Sequence, residues 1–180
     1  MEELRGQVVL IDFWTYTCIN CIRTFPFLKQ WNSRYADDGL VIVGVHSPEF
    51  EFEKDYDNVV EATQNEALAW TIAQDNDFVT WRGYNNRFWP AKYLIDKDGV
   101  VRYKHFGEGG YAETEGLIRE LLAEADPNFL ANNLPLPEDQ TVDPTFLTAR
   151  DAEVTRELYG GYERGESDLL FGREIGRAHV

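Results

Sequence analysis

Cys18 and Cys21 are the only cysteines of the 180-residue chain. They sit three positions apart, and an aspartate, Asp12, lies six positions before the first of them. Two cysteines cannot build a disulfide framework, and a bridge across so short a loop would add little stability. Structural zinc would need a second pair of ligands, yet His46, His105 and His179 show no paired spacing. Plain buried thiols are a second reading. Redox chemistry is the third, and it accounts for more residues. A cysteine at a helix N-terminus has its thiolate stabilised by unpaired backbone N–H groups and the helix dipole. Cys18 takes that place, and Cys21, one turn on, is placed to attack a mixed disulfide formed at Cys18 and release the partner. Asp12 falls within an apolar run, where a carboxylate is costly without a partner or a task. It reads either as a paired structural acid or as a proton acceptor that helps to ionise Cys21.

The elements that would hold these residues follow from periodicity. Val8–Trp14 is apolar on both faces, as in a central parallel strand covered on each side. From Cys18 the spacing of Ile22, Phe25, Leu28, Trp31 and Tyr35 predicts a helix, kinked at Pro26 and ending at Asp38-Gly39. Leu40–His46 reads as a second buried strand, so the cysteines occupy the first strand-to-helix turn of a β-α-β unit. A helix near 58–67, an extended piece at 70–73 and a helical turn carrying Phe78, Trp81 and Tyr84 come next. Asp98-Gly99 between two β-prone runs predicts a hairpin, and an amphipathic helix over 112–124 closes the domain. The expected architecture is α/β, a mixed sheet flanked by helices.

Residues 1–125 form this domain. Pro127, Pro135, Pro137 and Pro144 mark 126–147 as an extended linker, and Tyr159-Gly160-Gly161-Tyr162 places the start of a truncated β-rich unit in 148–174. Residues 175–180 read as translated adapter sequence and are set aside. The net charge of −15 disfavours nucleic acid or anionic lipid as a partner. Six residues from Glu49 to Asp57 are charged and only Lys54 is basic, a pattern usual for a solvated face. No apolar run approaches the ~20 residues of a membrane span. The acidic start at Glu2-Glu3 is unlike a signal peptide, which implies either a cytosolic protein or a missing N-terminal part.

With those residues in place, the chain resembles the thioredoxin superfamily, and within it the thioredoxin-like (redoxin) domain of DipZ-type membrane-associated thiol-disulfide oxidoreductases. The likeness covers about Leu4 to Ala125. It rests on Asp12, on the Phe13-to-Cys21 stretch FWTYTCINC with Trp14 four positions before Cys18, and on Pro26. The segments VGVHSPEF (43–50), FWPAKYLID (88–96) and HFGEG (105–109) extend it. The resemblance implies a thioredoxin fold with an extended C-terminal tail, and disulfide exchange with Cys18 as nucleophile, Cys21 as resolving thiol and Asp12 as proton relay. It implies that Pro90 is a cis-proline facing the cysteines, with Trp14, Trp89 and Gly107 helping it to shape the substrate surface. No organic cofactor or metal is implied, because the dithiol itself carries two electrons.

Protein disulfides would be the substrates and a membrane domain the electron donor, at the extracytoplasmic face of a bacterial membrane or in the periplasm. DipZ-type proteins carry that membrane domain upstream and a carbohydrate-binding-like domain downstream, so the resemblance implies a fragment. Two departures matter. Ile19-Asn20 is not the Gly-Pro of cytosolic thioredoxin, and the second strand has no lysine for Asp12, which makes Glu49 or His46 the expected substitute. Two other functions compete: a peroxiredoxin-like peroxidase, which lacks a Pro-x-x-x-Thr-x-x-Cys arrangement before Cys18, and a non-catalytic adaptor on the same fold.

Overall fold

The computed structural model describes residues 2–129 and 144–146. Strand β1 (Val8–Trp14) is buried along its whole length. It is central because it pairs on both edges, parallel with β2 (Leu40–His46) and antiparallel with β4 (Ala91–Ile95). Outside these lie β3 (Thr71–Gln74), parallel to β2, and β5 (Val101–Phe106), antiparallel to β4, giving the order β3-β2-β1-β4-β5.

Alternation along β1 divides the core into two layers. Val8, Leu10 and Trp14 face α1 (Ile19–Tyr35) and α4 (Tyr111–Ala125), packing with Cys21, Ile22, Phe25, Leu28, Ile118 and Leu122. Val9, Ile11 and Phe13 face the other way, with Trp81 of α3 (Val79–Gly83) and Tyr84 against Phe13 and Tyr93. Each fully buried large aliphatic side chain stabilises this arrangement by about 1.5–3 kcal/mol before ordering costs. Asp12 shares the face of Leu10 and Trp14, so β1 presents it toward the layer that contains Cys21.

Most expected elements appear with shifted ends. The second helix, α2, spans Tyr56–Asn65 because Asp55 caps it, accepting from the Asp57 and Asn58 N–H groups. The hairpin forms where Asp98-Gly99 stands: Gly99 has φ +81°, and the Asp96 carboxylate accepts from the Asp98 and Val100 N–H groups. α1 is one helix from Ile19 to Tyr35, with Pro26 buried inside it.

Two described pieces of the expected linker return to the domain. Phe129 packs against Tyr35 with ring centroids 6.5 Å apart, and a 3-10 turn at Pro144–Phe146 lies beside α1. The remainder of 126–147, the β-rich unit expected in 148–174 and the set-aside tail 175–180 lie outside the described residues.

Candidate active site

The site lies where β1 ends and α1 begins. Cys18 is the N-cap of α1, in extended backbone conformation, and its Sγ accepts the Cys21 N–H at 3.2 Å. That N–H is one of the donors a helix leaves unpaired at its start, so the first turn directs a positive dipole end at this sulfur. Cys18 is partly exposed and Cys21 fully buried, and a disulfide joins them. The backbone fixes the turn through Cys18 N–H to Thr15 O and Ile22 N–H to Cys18 O.

Asp12 does have a basic partner, and it comes from β4. Lys92 stands directly opposite Asp12 in the antiparallel register, with Nζ 3.1 Å from Asp12 Oδ1. Their side chains are 1% and 2% exposed. The contact is a buried ion pair, and no other side chain or backbone group among the described residues hydrogen-bonds to either of these two atoms. Burial raises the Asp12 pKa above the ordinary carboxylate value, against the opposing pull of Lys92.

His46 and Glu49 therefore do not serve as the counter-charge. His46 is fully buried, stacked on Tyr16 (5.6 Å between centroids) and edge-on to Trp14 (5.0 Å), with Nε2 3.3 Å from Thr15 Oγ1. Burial lowers its pKa to about 4, so it is neutral at neutral pH. Glu49 is exposed at the surface.

The Trp89–Pro90 peptide bond is cis, as the resemblance implied. Trp89 is partly buried, with its indole N–H donating to Ser47 O at 3.0 Å, and the Gly107 N–H donates to Pro90 O at 2.8 Å. These bonds gather Ser47, Trp89, Pro90 and Gly107 at the sheet end that carries the cysteines. Gly107 has φ +86°, a conformation costly for any side-chain-bearing residue. Trp14 departs from the expectation of a surface residue. It is fully buried, edge-on to Phe25, and lies beneath the site.

Sequence reasoning missed two residues. Lys92 belongs to a run that reads as an ordinary strand; its signal is a cation amid Ala91, Tyr93, Leu94 and Ile95, all buried. Glu53, in the acidic run read as a solvated face, is fully buried. It accepts from Thr17 Oγ1 at 2.5 Å, the Glu49 N–H at 2.6 Å and the Phe50 N–H at 2.9 Å. Burial raises its pKa, but these hydrogen bonds outweigh burial and hold it below the ordinary value. A side chain joined in this way to Thr17 ties the 49–54 loop to the residue before Cys18.

A central β-α-β unit, an antiparallel hairpin, a cis-proline loop and a Cys-x-x-Cys pair at the first helix define a thioredoxin fold with its dithiol site. A family model described as Thioredoxin-like matches residues 6–101, and the chain belongs to that family. It is 47% identical over 161 residues to Protein DipZ of Mycobacterium tuberculosis (strain CDC 1551 / Oshkosh), covering 89% of this chain and 22% of DipZ. The chain thus spans about a fifth of the length of the DipZ proteins it matches. The thiol-disulfide oxidoreductase YkuV of Bacillus subtilis (strain 168) is 29% identical over 126 residues, 69% of this chain and 84% of YkuV. Among solved structures, a thioredoxin-like protein in the oxidised form superimposes with a TM-score of 0.60 at 28% identity, covering 67% of this chain and 80% of that one. A thiol-disulfide isomerase from Corynebacterium glutamicum gives 0.63 at 21% identity, over 68% and 84% of the two chains, a likeness of fold alone. No helix among the described residues is long and apolar enough to cross a membrane.

Proposed function

We propose that this domain exchanges electrons with protein disulfides through Cys18 and Cys21. The observation that carries the reading is the asymmetry of the pair. One sulfur is partly exposed and receives a backbone N–H from the helix start, whereas the other is buried one turn on. The Cys18 thiolate attacks a partner disulfide, forming a mixed disulfide and expelling one partner thiolate. The Cys21 thiolate then attacks Cys18 Sγ, closing the intramolecular disulfide and expelling the second, so the partner gains two electrons and takes up two protons. Run backwards, the same steps oxidise a partner dithiol.

Cys21 must lose its proton away from bulk water, and Asp12, charge-balanced by Lys92 in the same layer, is the acceptor. Trp89, Pro90 and Gly107 shape the partner surface, and Trp14 supports it from beneath. Likeness to DipZ supports a membrane electron donor and a site at the extracytoplasmic face of a bacterial membrane or in the periplasm. Chemistry at the dithiol needs no cofactor.

Trapping tests the roles. Cys21→Ser accumulates mixed disulfides visible on non-reducing gels, while Cys18→Ser forms none. Adducts on Cys18→Ser alone reverse the assignment.

A further inference from the structure

The loop that leaves β2 carries large apolar side chains held out in water. Phe50 and Phe52 are 50% and 56% exposed, and their rings lie parallel with centroids 5.6 Å apart. Tyr16, two residues before Cys18, sits 6.3 Å from the Phe52 ring and donates its hydroxyl to Phe52 O at 3.2 Å. This pair is not a loose loop tip. The buried Glu53 carboxylate accepts from the N–H groups of Glu49 and Phe50 and from the Thr17 hydroxyl, fixing the phenylalanines relative to the cysteine turn. Burying a carboxylate is costly, and here it secures exposed aromatic rings beside a reactive sulfur.

Around the rings, Glu49, Glu51, Asp55 and Asp57 are exposed. The one cation, Lys54, is taken by Glu51 at 2.7 Å. A second exposed aromatic pair, Phe88 and Phe106 with centroids 5.2 Å apart, flanks the Pro90 and Gly107 side of the same sheet end.

We propose that the 49–57 loop is a specificity element that selects partner segments in which the reacting cysteine lies in extended chain, with an apolar side chain next to it and Lys or Arg beyond. The apolar side chain packs on the Phe50–Phe52 pair, and the basic residues meet the exposed carboxylates of Glu49, Glu51, Asp55 and Asp57, competing with Lys54 for Glu51. Acidic segments are repelled. This rests on the disulfide-exchange reading and names the class of partner for it.

The test uses the full chain, reduced, and measures second-order rates against three probes. Two are cysteine peptides with Leu and Phe beside the cysteine, flanked by Lys or by Glu, each presented as a mixed disulfide with hydroxyethanethiol. The third is the neutral hydroxyethyl disulfide. The Lys-flanked peptide is expected to react about tenfold faster than the Glu-flanked one at low salt, with the ratio approaching one near 0.5 M salt.

Neutralising the loop through Glu49→Gln, Glu51→Gln, Asp55→Asn and Asp57→Asn collapses the ratio; Asn at 55 still caps α2. Removing the same charge at the opposite sheet end through Glu2→Gln, Glu3→Gln, Asp37→Asn and Asp38→Asn leaves it intact. Phe50→Ser with Phe52→Ser slows both peptides several-fold, with hydroxyethyl disulfide within about twofold of wild type.

An equal loss of the ratio from either set of charge changes assigns the preference to net charge and overturns the proposal. So does a wild-type dimer that Phe50→Ser with Phe52→Ser converts to monomer, which assigns the rings to self-association. Failure of the wild type to react with hydroxyethyl disulfide overturns the exchange reading instead.

Discussion

Lys92 Nζ lies 3.1 Å from Asp12 Oδ1, from the position directly opposite it across the antiparallel β1–β4 pair. Both side chains are buried, so each charge is the answer to the other's desolvation. The aspartate beneath the cysteines is therefore both paired and, with its pKa raised by burial, suited to hold a proton.

Removing one member should expose that dependence. Asp12→Asn leaves the Lys92 ammonium buried without a counter-charge and is expected to cost about 3–5 kcal/mol, measured by denaturant unfolding. Asp12→Asn with Lys92→Met should recover most of that loss. In both variants, resolution of a mixed disulfide at neutral pH, followed by stopped flow, slows by up to about 100-fold if Asp12 accepts the Cys21 proton. Restored stability with an undiminished resolution rate would reduce Asp12 to a structural role.

His46 makes the fold sensitive to acid well above the carboxylate range. The unfolded chain binds the imidazole proton near pH 6.5, whereas the folded protein holds it off until about 4. The neutral-His contribution is thus complete above 6.5 and falls away as pH drops to 4, a loss of about 3 kcal/mol. Unfolding curves at pH 7.5 and 5.0 should separate for the wild type and nearly coincide for His46→Phe after the carboxylate contribution is subtracted. An equal separation in both proteins would show that His46 is not the cause.

Gly44 stands opposite Asp12 in β2, and a Cβ there would meet Ile72 Cδ1 at 2.7 Å and the Trp14 indole nitrogen at 3.0 Å. Ile72 is able to swing its terminal methyl aside, but Trp14 is enclosed by Phe25 and His46. Gly44→Ala is therefore expected to destabilise by about 1–3 kcal/mol. An unchanged thermal midpoint would mean that Trp14 has room to move.

Phe129 lies past the end of α4 yet packs on Tyr35. Phe129→Ala in the full chain should lower stability by about 1–2 kcal/mol, or roughly 5 °C in Tm for a domain of this size. No change would place the domain boundary at Ala125.

Much of this was readable from the residues. The runs at 8–14 and 40–46 are apolar on both faces, and only strands covered on each side need that. Cys18, Cys21 and Asp12 stand at spacings that name a strand, a turn and a helix start, whereas Pro90 was legible only through the family resemblance. Lys92 was not found, because pairing across the sheet depends on which strand returns beside β1 and in which register, and no local pattern encodes either. Glu53 was missed for a related reason. An acidic run looks solvated until the fold shows that one member turns inward to collect backbone N–H groups, while Phe50 and Phe52 turn outward. The resemblance put Trp14 at the substrate surface, but β-strand alternation directs its side chain into the core.

At the far end of α1, the Glu115 carboxylate of α4 accepts from Trp31 Nε1 at 3.1 Å, Arg34 at 3.0 Å and the Tyr35 hydroxyl at 2.5 Å. Thirteen to seventeen residues separate these donors from Cys18, which at the helical rise is about 20–25 Å. The helix is moored at its tail and works at its tip. Both sulfurs belong to the first turn, and local loosening there need not spread to the mooring. Ile19 and Asn20, which sit between the two sulfurs, lie in that first turn, far from the mooring. Substitutions at those two positions would retune the redox poise of the centre while the body of the fold stays as it is.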